Sequence, residues 1–168
     1  MITKEIKNRR AVRDYKAEEV SEEHIAEIIK AGQFAPSARD NRTIEFVVVK
    51  GQETKNKIFD ILGGEQEYVK EAPVLIIPVT DAEKTTCPLQ DIAAASENMF
   101  LQAASLGLGT VWKNVRTGSE GEEGVKKLLG IPSHLMIANI IPVGYPKETP
   151  EPHSDSDFRE EKIHREKW

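Results

Sequence analysis

The sequence predicts an α+β fold, a mixed, largely antiparallel sheet flanked by helices. Runs of β-branched and aliphatic residues recur at 44–50, 72–81 and 136–145, the pattern of buried strands. Segments with apolar residues at helical spacing lie between them. Some connections are loops too short for a parallel crossover, which favours antiparallel neighbours.

Taken in order, "SEEHIAEIIKAGQFAPS" (21–37) reads as a helix with a well-marked start. Ser21 can cap it, Glu22 and Glu23 suit its first turn, and Val20 can staple onto Ile25. Ile25, Ile28 and Ile29 form its apolar stripe, Gly32 weakens it and Pro36 closes it. "APSARDNRT" (35–43) is then a loop, and "IEFVVVK" (44–50) a buried strand. "QETKNKIFDILGG" reads as a short helix ended by Gly63 and Gly64. "APVLIIPVTD" is a second strand, in which Pro78 suggests an edge or a bulge. "DIAAASENMFLQAASL" (91–106) is a helix capped by Asp91 and stopped at Gly107. Its apolar residues run nearly all the way round, so it is expected to be the central, buried helix. "GTVWKNV" reads as a strand, "EGEEGVKKLLG" as a short helix and "MIANIIPVGY" as a further strand.

No repeat or low-complexity linker divides the chain, so 1–168 is read as a single domain with a polar extension from about residue 147. The extension ends on Trp168, an aromatic expected to pack against something. A net charge of −5 argues against non-specific nucleic-acid binding. The start, "MITKEIKNRR", has no apolar core of the secretory kind, and no apolar run is long enough to span a bilayer. Cys87 is the only cysteine, which fits a reducing compartment, so a cytoplasmic protein is expected.

Most catalytic signatures are missing. There is no P-loop, and "GLGTVW" (107–112) puts Trp112 where a dinucleotide fingerprint needs its last glycine. His24, His134, His153 and His164 lack metal-ligand spacing, so no metal is expected. Cys87 has no histidine partner nearby, and no G-x-S-x-G elbow exists. With no acid–base or nucleophilic constellation, an enzyme built on this chain would need a cofactor to carry its chemistry, and no catalytic side chain is assigned.

"NRRAVRDY" (8–15) is the exception to the acidic background, with Arg9, Arg10 and Arg13 inside five positions. Guanidinium forks suit phosphate. Clustered charge is nevertheless usually a solvated face, and Glu5, Asp14, Glu18 and Glu19 could balance it. Spacing alone leaves both readings open.

The order "NRRAVRDY", "APSARDNRTIEFVVV", "APVLIIPV", "DIAAASENMFLQAASLGLGTVW", "LGIP" and "IIPVGYPKETPEP" resembles the FMN-dependent nitroreductase family, from about Asn8 to Trp168. The resemblance implies a homodimer with two FMN molecules at its interface. It implies that Arg9, Arg10, Ala11 and Arg13 grip the phosphate and ribityl chain. Arg13 is implied to lie near the flavin N1/O2 edge, where a fixed cation favours the reduced flavin. Pro36, Ser37, Ala38 and Asp40 are implied to reach the flavin from the partner subunit. The backbone of Gly109, Thr110 and Val111 is implied to approach N5 and O4, the point of hydride transfer. Trp112 either walls the pocket or is a core or interface aromatic.

Some positions depart from the family. Ala11 replaces a serine, with the loss of one hydroxyl contact to phosphate worth on the order of 1 kcal/mol. Asp40 replaces an asparagine of "N-x-Q-P-W", and Arg42 is placed to offset its charge. Of the C-terminal basic groups, Lys162 is favoured over Arg159 as a phosphate contact. The resemblance implies a ping-pong oxidoreductase. It passes hydride from NADH or NADPH through flavin N5 to a nitroaromatic or quinone-type small molecule, with neither nucleic acid nor membrane as partner. The alternative is a flavin-binding or flavin-free interaction protein without reductase turnover, motivated by Ala11, Asp40 and the missing "Q-P-W". A third possibility is other chemistry on the same fold, such as flavin fragmentation or reductive dehalogenation.

Overall fold

Strand β2 (Val74–Asp81) is buried at every residue and organises the molecule. The computed structural model describes residues 2–168. β2 pairs antiparallel with β1 (Ile44–Val49) along one side. On its other side it meets β6 (Asn139–Gly144) at Val74–Ile76 and β5 (Leu135–Ile137) at Val79–Asp81. β6 also carries β3 (Gly109–Thr110) and β4 (Lys113–Asn114). Among the described residues every ladder is antiparallel, and the parallel component is one bridge, Ala11 to Thr110.

Alternation along β2 builds a layer on each face of the sheet. Leu75, Ile77 and Val79 pack with Ile58, Val69 and Val125, which come from α3 (Gln52–Ile61), α4 (Tyr68–Glu71) and α6 (Glu120–Leu129). Val74 and Ile76 pack with Ile25, Ile28, Met99 and Ala103, from α2 (Glu22–Gln33) and α5 (Pro88–Ser105). A short α1 (Lys4–Asn8) precedes them. The Ser21 hydroxyl accepts from the His24 N–H and caps α2, and Val20 and Ile25 are buried in one cluster. Gly32, which weakens the helix locally, has a packing reason. A β-carbon there would lie 2.9 Å from Met99 Cγ, so glycine lets α2 close onto α5.

Several expectations need correction. β1 lies at the edge of the sheet and is only part-buried. Pro78 lies in the central strand, not at an edge. Between Ile76↔Ile141 and Val79↔Ile137, two residues of β2 face three of the partner segment. This is a bulge, the other feature that Pro78 suggested, in the paired segment that carries β5 and β6, and it falls where Pro78 has no N–H to give. The same bulge divides "MIANIIPVGY" into β5 and β6, and "GTVWKNV" likewise divides into β3 and β4. α5 starts at Pro88, so Asp91 lies inside its first turn and does not cap it. α5 is central, but its outer face, with Leu89, Ala93 and Glu97, is exposed. Trp168 is fully exposed and stacks on its own tail's His164 at 4.2 Å between centroids. α1 and α4 are additions that the sequence pattern did not bring out.

Candidate functional site

The segment after α1 runs as an extended strap beside β3. Ala11 bridges Thr110, and the Val12 N–H donates to the Thr110 carbonyl at 2.9 Å. Val12 and Tyr15 turn inward and are buried, while Ala11, Arg13 and Asp14 stay exposed. The Tyr15 hydroxyl donates to the Val12 carbonyl at 2.7 Å, and burial pushes this phenol far above its ordinary value. The Lys16 N–H donates to the Tyr145 carbonyl at 2.8 Å, so the strap is tied at both ends. Two motifs almost a hundred residues apart thereby lie side by side.

A cleft of about 380 Å³ opens between α1, the C-terminal end of α5, β3 and residues 146–152. That volume is within the range of small-molecule sites. Arg9, Arg10, Gly109 and Thr110 line it. Arg9 faces Glu97 at 3.7 Å and makes no side-chain hydrogen bond among the described residues. Arg10 donates once, to the Glu151 carbonyl at 2.9 Å. A guanidinium carries about five N–H donors, so most of this capacity is free for an anion. Arg13 does not line the cleft. It stands beside Tyr68, whose phenol is raised by burial and pulled back by that charge. Along an extended strap Arg13 lies about 10 Å beyond Arg10. The cations therefore suit the two ends of a long anionic ligand.

β3 stops at Thr110 and β4 resumes at Lys113, which leaves Val111 and Trp112 outside the ladder. Val111 is buried. Trp112 is part-exposed and meets Phe100, a cleft residue, edge to face at 6.2 Å.

Pro36, Ser37, Ala38 and Asp40 lie elsewhere in the same chain, by the N-terminal end of α5. Pro36 and Ser37 border a separate cleft with Asp91. From Asp91 to Ala104, which lines the arginine cleft, α5 rises about 20 Å. One chain does not bring this loop to its own strap. The loop holds three non-glycine residues at positive φ: Arg39, Asp40 and Arg42. Arg42 grips Asp40 through two hydrogen bonds, at 2.8 and 3.1 Å. These bonds and the adjacent charge hold the Asp40 carboxyl below its ordinary range, so Arg42 offsets Asp40 as expected. Lys162 and Arg159 lie on the exposed tail and do not line the arginine cleft.

Sequence reasoning missed Glu97, Tyr68 and the wall at residues 146–152. Glu97 is the one acidic side chain within the apolar stretch "IAAASENMFLQAAS", which was a usable signal. Tyr68 carried none. Among the described residues no group of His, Cys, Asp and Glu could hold a metal ion, and no helix is long and apolar enough to cross a membrane.

Sheet, strap and cleft define an α+β protein with a cationic strap laid against a backbone-lined strand. The Nitroreductase family model matches residues 6–69 and 62–145, and the chain belongs to that family. A Methanothermobacter thermautotrophicus protein, provisionally named NADH dehydrogenase/NAD(P)H nitroreductase, is 40% identical over 169 residues, covering 97% of this chain and 85% of that protein. The FMN reductase [NAD(P)H] of Bacillus subtilis is 27% identical over 168 residues, covering 88% of this chain and 66% of that enzyme. An FMN-dependent nitroreductase from Clostridium difficile R20291 superposes with a TM-score of 0.92 at 32% identity, covering 98% of each chain.

Proposed function

We propose that this chain is an FMN-dependent oxidoreductase acting in the cytoplasm as a single catalytic domain. FMN, when bound, would supply ping-pong hydride-transfer chemistry between NADH or NADPH and an electron-poor small molecule of nitroaromatic or quinone type. The observation that carries the reading is the Ala11–Thr110 bridge with the Val12 N–H···O bond to Thr110. It aligns the cationic strap with the segment of plain backbone.

The residues present fit the cofactor. Arg9 and Arg10, with donors to spare, would hold the phosphate. Ala11 leaves that phosphate one hydroxyl short. Arg13, further along the strap, would supply fixed positive charge where negative charge gathers on reduction. Gly109, Thr110 and Val111 would present backbone and so need no reactive side chain. Trp112, braced by Phe100, would wall the acceptor pocket and exclude water.

The separation of loop and strap along α5 supports a homodimer, in which Pro36, Ser37, Ala38 and Asp40 of one subunit reach the cofactor of the other. The open outer face of α5 provides a surface for that contact. Asp40, which favoured a protein without turnover, is already paired with Arg42.

The test is a fluorescence titration of the purified protein with FMN, combined with its solution mass. The reading expects one tightly bound flavin per chain and the mass of two chains. Failure to take up FMN would exclude it.

A further inference from the structure

Asp81, Asp91 and Glu122 are the buried acids outside the cleft. Asp81 pairs with Lys84, and Glu122 has Lys126 at 3.8 Å. Asp91 has no cationic partner within 4.0 Å among the described residues. Its Oδ1 accepts the Ala38 N–H at 2.8 Å, and its Oδ2 accepts the Thr85 hydroxyl at 2.5 Å. Thr85 is itself buried, and its Oγ1 also accepts the Cys87 N–H at 3.2 Å. The carboxylate stands in the first turn of α5, where the helix dipole favours negative charge.

Ala38 begins the turn in which Arg39, Asp40 and Arg42 have φ of 55°, 56° and 50°. Left-handed backbone at non-glycine residues persists only where the surroundings over-determine it. The Ser37 hydroxyl accepts the Arg42 N–H at 3.0 Å, and this bond closes the loop on itself. Among the described residues, three side-chain contacts fasten the loop to the rest of the chain: Asn41 Nδ2 to the Lys84 carbonyl at 2.6 Å, the Thr43 hydroxyl to the Thr80 hydroxyl at 2.7 Å, and Ala38 to Asp91. Only the part-buried Asp91 contact ties the loop to a long helix.

We propose that Asp91 is a positioning residue for the cofactor loop, and this rests on the FMN reading above. With Oδ2 locked by Thr85, Oδ1 fixes the place of the Ala38 backbone. That in turn sets where Ser37 and Asp40, on either side, meet the cofactor of the partner subunit. The rigidity of α5 is thereby passed to a loop that would otherwise relax out of its left-handed turn.

The experiment compares the full-length parent with Asp91→Ala, Asp91→Asn and Thr85→Val. It reads the FMN Kd and the visible circular dichroism that the protein induces in bound flavin. Asp91→Ala is expected to weaken FMN binding about tenfold, the effect of one lost charge-assisted hydrogen bond, and to change the dichroism. Asp91→Asn can still accept from Ala38 and can donate to Thr85, so it is expected to stay within about threefold of the parent. Thr85→Val leaves the loop sequence intact and is expected to fall between them, which keeps the test decisive if Asp91→Ala does not fold. Parent-like affinity and dichroism in Thr85→Val and in any folded Asp91→Ala would overturn the proposal while leaving the FMN reading standing. A parent that binds no FMN would overturn both.

Discussion

The Val12 side chain occupies the space that a β-carbon on Gly109 would need: such an atom would lie 2.6 Å from Val12 Cβ. This contact seats the strap that carries Arg9, Arg10 and Arg13 against β3. The absence of a side chain at position 109 is what lets the two segments approach closely enough to bond.

Gly109→Ala should therefore push the strap off β3. Overpacking of this kind costs about 1–3 kcal/mol. Thermal unfolding should show the lower stability, and flavin titration should show a weaker site in the protein that remains folded. Unchanged values for both would mean that the strap moves freely.

Arg9→Ala and Arg10→Ala should each weaken FMN binding by about tenfold to a hundredfold, as expected for a charge-assisted contact to phosphate. The melting temperature should stay close to that of the parent, because both side chains are part-exposed and Arg9 makes no side-chain hydrogen bond among the described residues. Equal flavin content in both variants would return the cluster to a solvated face.

Arg13 should act on the redox potential more than on affinity. Arg13→Gln removes a fixed cation from the far end of the strap, which disfavours the reduced flavin. A loss of about 1.4 kcal/mol corresponds to a midpoint potential lowered by about 30 mV for a two-electron couple. Spectroelectrochemistry reads this directly, and an unshifted potential would remove Arg13 from the isoalloxazine edge.

Tyr15 should make stability fall in alkali. Burial raises its phenol far above the ordinary value, so the folded state keeps the proton while the unfolded chain releases it above about pH 10. There the unfolded state binds fewer protons, and stability drops as pH rises. Tyr15→Phe should flatten that alkaline slope in denaturant titrations. At neutral pH it should cost about 1 kcal/mol through the lost bond to the Val12 carbonyl.

What was legible in the sequence follows from what is local. The strands and α2 could be read because β-branched runs, a capping serine and a helical stripe are short-range signals. The start of α5 was misplaced because Asp91 looked like a cap, although Pro88 suits the first helical position. Pro78 suggested an edge or a bulge, and the choice could not be read locally because the bulge that accommodates it belongs to the β5–β6 segment, about sixty residues later. β1 has the composition of a central strand, and only the pairing shows that it is at the edge. The arginines were ambiguous on charge alone, since their meaning depends on Thr110, far along the chain. Ala38 and Asp91 could not be linked without the fold.

The central claim is that a flavin on this strap is reduced by a nicotinamide and reoxidised by a small acceptor. Anaerobic mixing of the FMN-loaded protein with NADH, and separately with NADPH, tests it most directly. The account predicts that at least one donor bleaches the visible flavin absorption stoichiometrically and that a simple quinone then restores it. Flavin that stays oxidised with both donors would contradict the account.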